Sequence, residues 1–215
     1  KLLNSNRSDK EQALEKLTKL FKNKTPAFYC ILNENFSELL EILGNKKSKK
    51  LRIEGNKLLT DVFQQSHKFI QLHLINTFMI NIDDETAGLS IFSKWQTNLY
   101  SLQMISFTAK NTPDVLYKIM PILVPIISEL MWNTKTQVNE QSSITMKDIA
   151  NTVDNDDFKP FIPSLIDAIT NPENLTECIY SLAGTTFVKS VTASALSLTV
   201  PLLARGFKER DTVIR

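Results

Sequence analysis

The chain has 215 residues, of which 42% are hydrophobic, and it contains only 5 Gly and 8 Pro. This composition is typical of a helical protein and argues against a turn-rich β architecture. A formal net charge of +2 excludes a uniformly basic or uniformly acidic protein. Because no apolar run of about 18 residues occurs, the sequence predicts no membrane-spanning helix.

Charge is distributed unevenly along the chain. Basic side chains outnumber acidic ones over residues 1–60 and 201–215, whereas acidic side chains predominate over residues 61–200. The ends are therefore basic and the middle is acidic, so a negatively charged partner would favour the ends. The first residue is lysine and the last residues begin another helical pattern, from which we expect a fragment of a longer chain.

Residues 1–64 are predicted to hold divergent, basic helical repeats. Residues 8–21 place Leu14, Leu17, Leu20 and Phe21 on one side of a helix. Further along this region, residues 44–52 (GNKKSKKLR) form a basic turn and the start of the next helix.

Cations at a helix N-terminus oppose the helix dipole, so the lysines of this turn are mildly unfavourable for folding. Phosphate binding gives a reason for their position. The alternative is a solvated turn that the lysines keep soluble. The candidate phosphate contacts are Lys46, Lys47, Lys49, Lys50 and Arg52.

The next predicted repeat covers residues 67–109. Its two helices are separated by an acidic insertion, residues 81–92 (NIDDETAGLSIF). The insertion explains why the repeat spacing is longer here than in the rest of the chain.

Three prolines mark a regular repeat in the second half. Pro125, Pro163 and Pro201 are equally spaced along the chain, and each lies in an apolar stretch that ends at a polar turn. A second apolar stretch follows, so each period holds a helix A, a short turn and a helix B. The predicted regular repeats are 113–153, 158–190 and 194–215, the last of them truncated.

In the first regular repeat, helix A is predicted over residues 113–131 and helix B over residues 135–153. Helix B should bury Val138, Met146 and Ile149 against its neighbours.

Pro121 and Pro125 lie inside helix A, where each removes a backbone donor, so this helix should bend. A bent first helix and a period of about 40 residues are typical of HEAT repeats. Stacked pairs bury apolar faces that a single pair cannot hide. The sequence therefore predicts an all-α fold, a HEAT-repeat α-solenoid in which antiparallel helix pairs form a right-handed superhelix, with residues 1–215 as a single domain. Such solenoids serve as binding surfaces.

A second basic cluster occupies the equivalent turn of the last repeat. It consists of Arg205, Lys208 and Arg210. Regular stacking would place both clusters on one ridge, with the acidic middle between them, so these three cations are further candidate phosphate contacts.

The tryptophans and cysteines have simple expected roles. Trp95 and Trp132 fall near the turns of their repeats, where they either seal the helix ends or form an exposed contact for a partner. Cys30 and Cys178 are far apart in sequence and are expected to be buried, reduced thiols.

Residues that carry catalysis or bind metals form no recognisable pattern. His67 and His73 are six positions apart, whereas metal-binding pairs on a helix are usually four apart. The acidic run 154–157 falls between two helices, where capping and solvation account for it. The GTT sequence at 184–186 lacks the lysine and the strand that a phosphate loop needs. We predict no catalytic, cofactor or metal site in this sequence.

Several stretches resemble the amino-terminal HEAT domain of the fungal elongation factor three family. They are KWQ at 94–96, MPILVPIISELMW at 120–132, TVDN at 152–155, FIPSLIDAIT at 161–170 and the long stretch at 181–214 that contains LARGFKERDT. The resemblance is good from about residue 94 onward and poor before it. Because of the acidic insertion and the basic region 1–60, the chain looks most like the diverged paralogue with a prion-like, Asn-rich amino-terminal extension.

The resemblance implies a cytoplasmic, ribosome-associated ATPase of the ABC-F type. In such a protein the HEAT arm contacts rRNA and ribosomal proteins, while ATP and Mg²⁺ bind to domains outside these residues. We accordingly expect no cofactor here, no membrane or DNA partner, and a monomer.

The alternative is a protein–protein scaffold, such as a ribosome-linked kinase coactivator or a transport adaptor. Part of the same sequence pattern is also similar to the giant HEAT-repeat coactivator that senses stalled ribosomes. A scaffold would present an apolar groove in place of a basic edge.

Overall fold

The computed structural model describes residues 7–23, 28–45, 47–83, 94–185 and 191–208. Within these ranges all regular structure is helical, which confirms the all-α prediction. In chain order the helices are α1 (Arg7–Lys22), α2 (Phe28–Glu34), α3 (Phe36–Leu43), α4 (Lys49–Gln65), α5 (Lys68–Asp83), α6 (Trp95–Asn111), α7 (Pro113–Leu116), α8 (Met120–Leu130), α9 (Thr136–Ala150), α10 (Ile162–Thr170), α11 (Leu175–Ala183) and α12 (Ala193–Gly206). Among the helices described, none combines the length and the apolar character needed to cross a bilayer.

The chain forms two compact units, Lys1–Met104 and Ile105–Arg215. Of the predicted acidic insertion, residues 81–92, the first three residues form the end of α5, which continues to Asp83. The rest of the insertion lies outside the described residues. The repeat boundaries remain predictions.

In the first unit, α4 packs against both α1 and α3. The predicted helix over residues 8–21 is present as α1, with Leu14 and Leu17 buried. Gly55 lets α4 approach α3 closely, because a Cβ added there would lie 2.9 Å from Ile42 Cγ2. The residues that α4 buries recur at helical spacing: Leu51, Gly55, Leu58, Leu59, Val62 and Phe63.

Side chains satisfy the carbonyl groups at the end of α4, which lack partners within the helix. Ser66 Oγ donates to Val62 O at 2.5 Å, and Gln71 Nε2 donates to Phe63 O at 2.9 Å. These bonds fix the sharp junction between α4 and α5.

In the second unit, the predicted helix over residues 113–131 is broken, whereas we expected a bend. A turn over residues 117–119 separates α7 from α8. The break follows from Pro121, which has no N–H to donate to the carbonyl of Tyr117 four positions earlier. Ser194 Oγ of α12 donates to that carbonyl at 3.1 Å in its place. Pro125 is accommodated inside α8.

Helix B of this repeat agrees with its prediction. It is present as α9, it packs against α8, and it buries Val138, Met146 and Ile149 completely. The predicted helix–turn–helix unit therefore forms, apart from the break in its first helix.

The last helix, α12, makes its main contact with α8 and a smaller one with α10. Helix α10 therefore does not separate α8 from α12. Small buried residues on α12, among them Ser194, Ala195 and Ser197, allow it to approach α8 directly. The hydrogen bond from Ser194 to Tyr117 O fixes this contact.

Candidate nucleic-acid interface

The predicted basic turn joins α3 to α4, and hydrogen bonds hold its backbone. Asn45 Oδ1 accepts the N–H groups of Lys47 at 2.9 Å and Ser48 at 3.1 Å. Ser48 is the N-cap of α4, and its Oγ accepts the N–H of Leu51 at 3.3 Å. Lys46 lies outside the described residues. The turn is therefore built to present lysines at the N-terminus of α4.

The cations of this turn differ in how far they are already neutralised. Lys50 Nζ lies 3.8 Å from Glu11 Oε2 and 3.9 Å from Glu54 Oε1. Lys47 and Lys49 are exposed and form no ion pair within the described part of the chain. The positive charge open to a partner is consequently concentrated on Lys47 and Lys49.

Arg52 lies at the side of the turn rather than at its tip. Its Nη1 donates to Asn45 O at 2.6 Å, and the residue is half-buried. Among the described residues, the other guanidinium N–H groups have no hydrogen-bond partner. Among the described residues, the cations of this basic turn are Lys47, Lys49, Lys50 and Arg52.

Lys94 is a neighbour of the basic turn that sequence reasoning missed. Its side chain crosses Gly44, where a Cβ would collide with the Lys94 side chain. Lys94 directly precedes α6, so the N-terminus of α6 lies beside the turn that leads into α4. Gly44 and Lys94 lie far apart in the sequence, so no local pattern indicates this contact.

The second predicted cluster is not a group of free cations. Arg205 Nη1 donates to Ile169 O, and its Cζ lies 4.6 Å from the ring centroid of Trp132. Burial lowers the pKa of the Arg205 guanidinium below its usual value, although arginine stays protonated in proteins. Lys208 is exposed after α12, and Arg210 lies outside the described residues. Arg205 therefore has an intramolecular contact that its position in the sequence did not indicate.

The two tryptophans occupy different environments. Trp132 lies in the turn after α8, 49% exposed, with Arg205 against its ring. Trp95 is the first residue of α6, is half-buried, and lines a cleft that also includes Arg52.

This cleft lies between α4 and α6 and has a volume of about 250 Å³. Its walls carry apolar, amide and aromatic groups together with one guanidinium. The lining residues are Leu43, Arg52, Ile53, Asn56, Trp95, Gln96, Leu99, Tyr100 and Gln103. Arg52 belongs to both the basic turn and the cleft, so the two are adjacent.

The predictions for cysteine were half right. Cys178 is buried, whereas Cys30 is exposed on α2, which corrects the expectation of two buried thiols. The apolar pattern of α2 is short, and its buried residues are Phe28 and Leu32, so Cys30 lies on the opposite side.

The acidic run 154–157 has a local structural explanation. Asn155 is buried and its Oδ1 accepts the N–H of Asp157 at 3.0 Å. Lys159 Nζ lies 3.1 Å from Asp156 Oδ1 and 3.9 Å from Asp154 Oδ1. Over the described ranges, no group of three or more His, Cys, Asp or Glu could hold a metal ion.

Paired helices whose prolines recur at a fixed spacing define a HEAT-repeat protein of the all-α class. Comparison with known families agrees with this. A family model described as the EF3 N-terminal HEAT repeat matches residues 2–146, and one described as the elongation factor 3/GNC1 HEAT repeat matches residues 173–215. The chain belongs to the elongation factor 3 family, and it lies in the HEAT-repeat region of that family.

Individual relatives show the same similarity. Elongation factor 3 of Pneumocystis carinii is 31% identical over 206 residues, which are 96% of this chain and 19% of that protein. Elongation factor 3 of Candida glabrata is 42% identical over 130 residues, and elongation factor 3B of Saccharomyces cerevisiae is 41% identical over 128 residues; each alignment covers 60% of this chain and 12% of the relative. The chain thus spans about a fifth or less of the length of these relatives.

The family match corrects the extent of the resemblance. We expected a good resemblance only from about residue 94 onward, whereas the family model matches from residue 2. The similarity to the family therefore extends through the first part of the chain as well.

Proposed function

We propose that this segment is the ribosome-binding HEAT arm of a cytoplasmic translation factor, and that its basic turn binds rRNA phosphate. The observation that carries the proposal is the exposed pair Lys47 and Lys49 at the N-terminus of α4, which form no ion pair with any described residue. The relatives named elongation factor 3 supply the context of translation.

The electrostatics of the turn favour an anion. The N-termini of α4 and α6 lie beside each other, and each carries a partial positive charge of roughly half an elementary charge. Lys94, whose side chain crosses Gly44, adds a further cation beside the turn. Backbone N–H groups, the positive ends of two helix dipoles and lysine side chains would all attract a phosphate that approaches the turn.

The candidate contacts are not equivalent in this proposal. Lys47 and Lys49 should contribute most, because Lys50 already interacts with Glu11 and Glu54. Lys94 joins the set, and Lys46 remains a candidate on sequence grounds. At the other end of the chain Lys208 and Arg210 remain candidates, whereas Arg205 is engaged by Trp132 and Ile169.

The rest of the proposal concerns the whole protein. ATP and Mg²⁺ would bind to domains outside residues 1–215, and those domains would carry any ATPase activity. We propose that the arm acts as a monomer and binds rRNA together with ribosomal proteins.

Cosedimentation with ribosomes over a range of salt concentrations tests the proposal. Lys47→Glu/Lys49→Glu should weaken binding and reduce the log–log salt slope by about 1.4–1.8, since each phosphate contact contributes roughly 0.7–0.9. Lys118→Glu/Lys135→Glu is the matched control, because it makes the same charge change at two exposed lysines of the second unit. An unchanged slope in the first variant, or an equal loss in both, would reject the basic turn as the contact.

A second candidate function is protein docking, which one observation favours. Leu196, Val200, Leu203 and Phe207 recur at helical spacing on α12 and the turn that follows it, and are about half exposed or more. A scaffold of this kind would bind a partner helix on that face. Binding to ribosomal components that survives nuclease treatment, and that Leu203→Asp abolishes, would favour the scaffold over rRNA binding.

A further inference from the structure

The cleft between α4 and α6 has a chemistry that the basic turn does not explain. Trp95 supplies an aromatic ring, and Ile53, which is 58% exposed, supplies an apolar surface in the same cleft. Asn56, Gln96 and Gln103 each supply an amide group. Among the described residues that line the cleft, Arg52 is charged and none is acidic.

These groups suit a planar heterocycle. Amides can both donate to and accept from the edge of a nucleobase, while an indole ring and an aliphatic side chain can contact its faces. With a volume of about 250 Å³, the cleft is smaller than the ~300–1,000 Å³ of sites for drug-sized ligands, and this size suits a single base.

The position of the cleft adds the phosphate chemistry. Arg52 lines the cleft and, through its bond to Asn45 O, also contacts the turn that carries Lys47 and Lys49. A nucleotide whose base occupies the cleft would have its backbone beside these cations. An apolar peptide side chain would use only the apolar wall, whereas a nucleotide can use the wall, the amides and the cations together.

We propose that the cleft binds one unstacked base of a single-stranded RNA segment, with Trp95 as the stacking residue and the basic turn holding the adjacent phosphates. This inference rests on the proposed rRNA binding and adds a subsite to it. Bases in a duplex are already paired and stacked, so the subsite would select loops, bulges or ends.

Two hairpin RNAs test the subsite. The first has an unpaired uridine loop, and the second is a continuous duplex with the same number of phosphates. Trp132→Phe leaves Trp95 as the sole tryptophan, so its fluorescence reports occupancy of the cleft. We expect the loop RNA to quench Trp95 and the duplex to leave it unchanged.

Trp95→Ala should lower the affinity for the loop RNA roughly 5- to 140-fold, with the salt slope unchanged, because stacking contributes about 1–3 kcal/mol per base. Trp95→Phe keeps a ring and should retain most of the affinity, which shows that the alanine variant has lost stacking and not its fold. Thermal unfolding of both variants checks that both are folded.

The outcomes separate the subsite from the proposed function. If Lys47→Glu/Lys49→Glu leaves RNA binding unchanged, the proposed rRNA contact fails and the subsite fails with it. If the lysine variant weakens binding but Trp95→Ala does not, or if the duplex quenches Trp95 equally, only the subsite is overturned. Occupancy of the cleft by a ribosomal protein, seen as quenching that survives nuclease, would also overturn it.

Discussion

The guanidinium of Arg205 covers the indole ring of Trp132, with its Cζ 4.6 Å from the ring centroid. The same group donates to Ile169 O, in the last turn of α10, where carbonyls lack helical partners. One side chain thus ties together the turn after α8, the end of α10 and α12. A cation is favourable at this end of α10, because helix C-termini carry partial negative charge.

Arg205→Ala should lower the free energy of unfolding by about 1.5–3 kcal/mol, the range for a hydrogen bond from a charged group. Arg205→Lys should recover little, because an ammonium cannot stack on the ring and donate sideways as a planar guanidinium does. Urea unfolding followed by circular dichroism measures the change. In a double-mutant cycle, Arg205→Ala and Trp132→Leu should couple by about 0.5–1 kcal/mol. Strict additivity of the two losses would show that the stacking contributes nothing.

The sequence predicts the helices of the second unit well, because apolar side chains recur there at helical spacing. Val138, Met146 and Ile149 are buried as predicted. The effect of Pro121 was underestimated. An interior proline can either kink or break a helix, and here the freed carbonyl of Tyr117 accepts from Ser194, which lies far along the chain on α12. No local pattern encodes a partner so distant.

The basic turn was also predictable, since its lysines lie close together in sequence. Lys94 and the cleft were not, because they arise where α6 meets residues 43–56. The contacts of Arg205 were not predictable for the same reason, as its partners Trp132 and Ile169 come from other parts of the chain. Charge alone cannot tell a free cation from one that already has a partner.

Gly55→Ala should destabilise the first unit, although alanine is the better helix former. The substitution gains roughly 0.5–1 kcal/mol of helix propensity, but its Cβ would lie 2.9 Å from Cγ2 of the buried Ile42. Overpacking of this kind costs about 1–3 kcal/mol, so we expect a net loss of up to about 2.5 kcal/mol in urea unfolding.

Gly184→Ala is the matched control for this loss. A Cβ there would meet its nearest atom, Tyr180 O, at an ordinary 3.4 Å, and the backbone φ of −78° suits alanine. We expect no loss of stability, or a small gain. The cost of Gly55→Ala should also shrink in an Ile42→Ala background. Equal effects of the two glycine substitutions would contradict the close contact.

The two cysteines should differ in their reactivity towards thiol reagents. Burial raises the pKa of the Cys178 thiol; a hydrogen bond from Ser164 opposes this rise and the charge of Asp167 adds to it. The exposed Cys30 should react rapidly with a thiol reagent. In a Cys30→Ser variant only the buried Cys178 remains, and it should react no faster than local unfolding exposes it.

The sign of the pH effect follows from the raised pKa. The folded state holds the Cys178 proton more tightly than the unfolded chain, whose thiols titrate at about 8.5. The stability contribution is therefore complete below about pH 8.5 and is lost as pH rises towards the folded pKa. Unfolding free energies measured at neutral and alkaline pH should fall less in Cys178→Ala than in the unsubstituted chain. An identical fall would mean that this thiol does not contribute.

Asp148 connects α9 to α6 within the second unit. It should contribute more to the stability of the fold than its ion-pair partner Lys110. Its Oδ2 accepts from Ser106 Oγ and lies 2.9 Å from Lys110 Nζ. The Asp148 side chain is 15% exposed, whereas that of Lys110 is 58% exposed. We expect Asp148→Ala to cost about 1–3 kcal/mol in urea unfolding, because Ser106 is buried and loses its acceptor.

Lys110→Ala should cost less than about 1 kcal/mol, since solvent screens the exposed end of the pair. Asp148→Asn should lie between the two, because an amide oxygen can still accept from Ser106. The stabilisation from the Lys110–Asp148 ion pair should decline as the salt concentration is raised, whereas the stabilisation from the Ser106–Asp148 hydrogen bond should not. If Lys110→Ala proved as costly as Asp148→Ala, the ion pair rather than the hydroxyl would be the contact that holds α9 against α6.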